Sequence, residues 1–144
     1  MPIAQKRAWA MMIAGALAYV VYVVLVVTDL QDPVSDTPYI APLLWTVGGS
    51  VVATVLAEIG FAATTRREGK AALRTDERDR EIDRFGDHVG QAFVVIGALG
   101  ALIMAMLQLP YFWIANIIYL AFVLSAVLGS AARLAAYRQN FQPW

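Results

Sequence analysis

Cysteine is absent from the 144-residue chain, which removes disulfides, thiolate metal centres and thiol nucleophiles together. Histidine occurs once, at His88, and serine is scarce; no Ser-His-Asp or metalloprotease spacing appears. Charge is also in short supply. Only 15% of residues are charged against 60% hydrophobic, a balance unsuited to a soluble domain. Long apolar runs take the place of a polar surface.

A membrane-crossing helix needs roughly 20 mostly apolar residues to traverse a hydrocarbon core ~30 Å thick. Four segments qualify, at about 8–27, 40–63, 89–107 and 112–132. The expectation is one all-α domain over residues 1–144, an integral membrane four-helix bundle. Lys6 and Arg7 precede the first run in the manner of a signal peptide. The run is too long and lacks a small-x-small cleavage pattern before Asp29, so it reads as an uncleaved anchor.

Bases are missing from two of the three connections. Residues 29–39 carry Asp29, Asp32 and Asp36 and no Lys or Arg, and the short QLPY connection at 108–111 carries no charge. All eleven bases fall near the N-terminus (Lys6, Arg7), in the middle segment (Arg66, Arg67, Lys70, Arg74, Arg78, Arg80, Arg84) or near the C-terminus (Arg133, Arg138). The positive-inside rule therefore places both termini and the middle segment in the cytoplasm. The same partition suits a lipid bilayer with anionic head groups and gives no reason to expect nucleic acid.

Small residues recur where helices would meet. Gly49, Ala53 and Ala57 follow a four-residue spacing in the second span, with Gly48 and Gly60 nearby; Gly86, Gly90, Gly97, Ala101 and Ala105 mark the third. Ser125 with Gly129 and Ala126 with Ser130 do so in the fourth. Lipid gives apolar helices no reason to prefer one another, so close backbone approach at small residues sets the contact faces. QLPY forces the last two spans into an antiparallel hairpin, with Pro110 ending the turn.

Glu58 is the one charge inside a span, about two turns below Arg66 at 1.5 Å per residue. A carboxylate at that depth binds a proton or cation, or else reaches Arg66, Arg67 or His88 or hydrogen-bonds to a neighbouring helix. His88 reads first as an interfacial polar residue, and would form a titratable pair with Glu58 if the two met.

The middle segment, 66–87, lacks proline and reads as a helix continuing into the third span. Its pairs Asp76–Arg80, Glu77–Arg80 and Glu81–Arg84 have the spacing of helical ion pairs, each worth ~0.2–0.5 kcal/mol. Ile82 and Phe85 are its candidates for packing beneath the bundle. Asp79, Asp83 and Asp87 recur every fourth residue, so one helix face carries three carboxylates beside His88. This is either a solvated face or a set of oxygen ligands suited to Mg²⁺ and a substrate phosphate.

The run DERDREI at 76–82, followed by a glycine-bearing span, resembles a signature of small prokaryotic membrane proteins, the family called domain of unknown function 2178. The resemblance covers roughly residues 74–105. It implies a bacterial or archaeal cell membrane and transfers no activity and no residue role. DxxxD spacing is separately similar to the acid-rich helices of membrane prenyltransferases and terpene cyclases. Those enzymes generally pair two such clusters on separate helices, whereas this chain has one, its other acidic group, Asp29, Asp32 and Asp36, being expected on the opposite side.

Three functions follow. The first is a module that self-associates, as a homo-oligomer, or binds another membrane protein through its charged helix. The second is an interfacial enzyme for an isoprenoid or lipid diphosphate, with Asp79, Asp83 and Glu58 as candidate catalytic groups. In it Asp79, Asp83 and Asp87 hold Mg²⁺ and Arg80, Arg84 and His88 bind substrate; a metal-free form uses a cavity lined by Trp45, Tyr111, Phe112 and Trp113, which otherwise read as interfacial belt residues. The third is a small proton-coupled transporter built on Glu58.

Overall fold

The computed structural model describes residues 3–68 and 77–139, with side chains described for 4–64 and 77–139. Four helices make up the fold: α1, Ile3–Thr28; α2, Ile40–Glu68; α3, Glu77–Met106; and α4, Tyr111–Arg138. All four are long and apolar enough to span a bilayer, and no strand occurs among the described residues. In hydrocarbon each backbone N–H and C=O must find its partner within the chain, and a helix provides this inside one segment. The protein is thus an all-α, multi-pass membrane four-helix bundle.

Local chemistry sets the helix limits. Pro42 falls in the first turn of α2, where an N–H would have no helical partner in any case. A short 3-10 turn, Val34–Asp36, orders the first connection, and Thr37, 2% exposed, accepts a hydrogen bond from the Gln31 backbone N–H at 3.0 Å. At the end of α3, Gln108 N–H donates to the Ala105 carbonyl and Leu109 N–H to the Met104 carbonyl, each at 3.0 Å. This is a Schellman closure with Gln108, at φ 55°, in the left-handed position that glycine usually fills. Pro110 then caps α4.

The helices neighbour one another in the order α3, α4, α1, α2. Helix α4 is central, with 28% of its apolar window buried, whereas α2 buries 6% and packs mainly on α1. Small residues do draw α3 and α4 together as their spacing predicts. A Cβ on Gly97 would collide with Ala121, one on Gly90 would sit 2.9 Å from Ser125 Oγ, and one on Gly129 would sit 2.9 Å from the Gly86 carbonyl. Large residues such as Ile96, Leu102 and Ile103 point outward, each more than half exposed. This small-in, large-out pattern is that of helices in lipid.

The glycines of α2 depart from that expectation. Among the described residues, no atom outside the helix's own backbone lies within 4 Å of a Cβ built on Gly48, Gly49 or Gly60. Ala53 and Ala57 do line a small gap against Arg7, Ala10, Met11 and Ala14 of α1, so only this flank of the small-residue face has an intramolecular partner.

Away from the charged end, Tyr22, Val26, Phe112 and Tyr119 form a buried cluster. Tyr22 donates to Asn116 Oδ1 at 2.6 Å, and Tyr119 donates to Thr46 Oγ1 at 3.1 Å. The second bond ties α4 to α2. Hydrogen bonds between spans contribute about 0.6 kcal/mol on average, so they orient helices more than they secure them.

Candidate functional site

Up-down connectivity brings the start of α1, the end of α2, the start of α3 and the end of α4 to one end of the bundle. There Glu58 pairs with Arg7 of α1. The expected partner His88 instead bonds through Nδ1 to the Arg84 carbonyl of its own helix, at 2.8 Å. The side chains of Arg66 and Arg67 lie outside the described residues. Arg7 meets Glu58 because α2 packs on α1, a contact invisible to hydropathy.

Asp79, Asp83 and Asp87 share one face, as their spacing requires, and that face turns onto α4. Tyr137 donates to Asp79 Oδ1 at 3.0 Å, Arg133 pairs with Asp87, and Arg133 Nε lies 3.6 Å from Asp83 Oδ1. Among the described residues no three His, Asp or Glu side chains are grouped to hold a metal ion. The carboxylates expected to hold Mg²⁺ are thus engaged by a guanidinium and a phenol.

The expected pairs along α3 are also absent: neither Glu77–Arg80 nor Glu81–Arg84 comes within 4 Å, and the ion pairs among the described residues all run between helices. Asp76 lies outside the described residues. Arg78, Arg80, Arg84 and His88 are exposed, outside the cavities at this end. Ile82 is fully buried, as a packing residue should be, while Phe85 is 40% exposed.

Asp83 and Tyr137 lie beyond the apolar spans on the charged side. Burial holds the Asp83 carboxyl above its ordinary value of 3.8; Arg133 opposes this, and Asp87 and Asp79 reinforce it. Burial, followed by the bond to Asp79, raises the Tyr137 hydroxyl above the usual phenol range, so it remains a donor.

Two cavities at this end reach the Asp87–Arg133 pair. One of about 240 Å³ is lined by Ala4, Arg7, Ala8, Met11, Glu58, Asp83, Asp87 and Arg133. The other, about 270 Å³, adds Gly90, Ser125 and Ser130 among its walls and shares Met11, Asp87 and Arg133 with the first. A larger apolar groove of about 370 Å³ between α1 and α4 has Arg138 as its single charged residue. Converging polar groups distinguish the first two.

Trp45 and Tyr111, 80% and 82% exposed, face outward, and Phe112 enters the core. They start α2 and α4, at the end opposite Glu58 and Asp83, so these aromatics lie away from the candidate catalytic acids. Arg133, Tyr137, Arg7 and Ser130 are the site residues that sequence reasoning missed. Arg133 and Arg7 stood out only as topology markers, and Ser130 only as a small residue of a helix contact face. No family model, curated protein or solved structure matches the chain.

Proposed function

We propose that the protein is a self-associating module of a prokaryotic cell membrane, with its charged end in the cytoplasm. The observation that carries this reading is the open face of α2. At 3.6 residues per turn Gly49, Ala53, Leu56 and Gly60 share one side of the helix. Gly49 and Gly60 have nothing within 4 Å of a Cβ position, whereas the glycines of α3 that cross α4 are tightly filled. A small-residue face of this kind suits a second copy of the chain, because close backbone approach is what associates helices in lipid.

Arg78, Arg80 and Arg84 are exposed and form no ion pair among the described residues, which suits a cytoplasmic docking surface. Segregation of bases to this end supports its orientation. The diphosphate enzyme has less support, since its aspartates already face Arg133 and Tyr137; so does the transporter, since Glu58 is paired with Arg7.

Single cysteines placed at Gly49 and Leu56 test the association, because the native chain has no cysteine. Oxidative cross-linking between copies in membranes, lost on Gly60→Leu, is expected; monomers throughout would overturn the reading. A cysteine at Ser35 should react with a membrane-impermeant maleimide from outside the cell, and one at Arg138 should not.

A further inference from the structure

Helices α1 and α4 each bring two bases to the charged end, and each divides them between its sides. Arg7 and Arg133 turn toward carboxylates, Arg7 to Glu58 and Arg133 to Asp83 and Asp87. Lys6 precedes Trp9 by three residues, which puts it on the Trp9 side of α1, about one turn farther out. Arg138 follows Arg133 by five, about 140° round α4 at 3.6 residues per turn, and lines the groove between α4 and α1. Lys6 and Arg138 are exposed and form no ion pair among the described residues.

The direction of the two helices fixes the order of the groove walls. On α4 they run outward through Ala131, Leu134, Ala135, Arg138 and Gln139, about 12 Å from first to last at 1.5 Å per residue. On α1, which starts at this end, Met12 lies inward of Trp9. The groove is therefore apolar toward the spans and basic at its mouth, with Trp9, a side chain suited to the membrane boundary, between. Among the described residues no carboxylate lines it. Its volume of about 370 Å³ falls in the range of small-ligand sites, roughly 300–1,000 Å³.

We propose that this groove holds one anionic phospholipid, its headgroup between Arg138 and Lys6 and the start of an acyl chain along Leu134, Ala135 and Ala131. Charge complementarity selects that occupant. The acids of this end are gathered on the other side of α1 and α4, where Arg7 and Arg133 meet them, so the mouth of the groove carries positive charge alone. A zwitterionic headgroup brings a second cation to that mouth. A soluble anion leaves the apolar wall beneath it uncovered.

The test is native mass spectrometry of the full chain in detergent, offered equal amounts of phosphatidylglycerol and phosphatidylcholine with the same acyl chains. The glycerol lipid should be retained over the choline lipid by about twentyfold, two bases at about fivefold each. Arg138→Gln and Lys6→Gln, both at exposed positions, should each lower that preference by about fivefold. Ala135→Phe fills the groove and keeps both bases, and should reduce retention of the glycerol lipid by about threefold or more; Ile96→Phe, on the outward side of α3, should leave it unchanged. Equal retention of the two lipids, an unchanged preference in Arg138→Gln, or equal effects of Ala135→Phe and Ile96→Phe each overturns the proposal. Capture of glycerol phosphate as strong as that of the lipid would assign the site to a soluble anion and overturn it. A loss of dimer without loss of lipid in Ala135→Phe would assign the groove to a second copy and likewise overturn it.

Discussion

Arg133 of α4 lies across Gly86 of α3, in the space a side chain there would need, and from that crossing its guanidinium reaches Asp87 and Asp83. The missing Cβ and the ion pairs are one device: the glycine lets the arginine stem pass, and the aspartates hold its head. Arg133 is only 17% exposed, while Asp83 and Asp87 are 53% and 69% exposed. Its loss should therefore cost more than a surface pair and less than a fully buried one.

Arg133→Ala should destabilise the folded protein by about 1–3 kcal/mol. A double-mutant cycle with Asp87→Asn, followed by denaturant unfolding in detergent, should return a coupling of about 0.5–2 kcal/mol. Additive effects would mean that the two groups act independently.

Gly97→Leu should damage the fold, because even a Cβ at that position collides with Ala121. Forcing α3 from α4 by that volume should cost more than about 2 kcal/mol. Gly48→Leu, where nothing lies within 4 Å, should leave monomer stability unchanged within about 0.5 kcal/mol. Thermal unfolding of both variants in detergent makes the comparison.

Gln108→Gly should stabilise the hairpin. Gln108 sits at φ 55° with its Schellman bonds already made. Relieving a left-handed L-residue, set against the greater chain entropy of glycine, gives a net gain of about 0.5–1 kcal/mol. An unchanged or lowered unfolding midpoint would contradict this.

Asp83 should give stability a negative slope with pH. Burial raises its folded-state carboxyl above 3.8, so the folded chain holds the proton more tightly than the unfolded one. The resulting contribution is complete below the unfolded value and is lost as pH rises through the raised folded value. Unfolding measured from pH about 3.5 to about 7 should show this loss in the native chain and its absence in Asp83→Asn.

Hydropathy by itself gave the four spans, because a bilayer imposes length and apolarity on each helix separately. The α3–α4 contact was equally legible. Gly86, Gly90, Gly97 and Ala101 recur with helical spacing, and QLPY leaves those helices no partner nearer than each other. The common face of Asp79, Asp83 and Asp87 also follows from helical geometry alone.

What occupies that face did not follow. Arg133 is 46 residues from Asp87 and Tyr137 is 58 from Asp79, so no local pattern connects them. Glu58 found Arg7 across 51 residues, on a neighbouring helix. The lateral order of the helices, with α4 central and α2 on the flank, made these choices. Apolar spans of similar length offer nearly equal surfaces to lipid, so that order is decided only when small residues, ion pairs and the Tyr119–Thr46 bond act together in three dimensions.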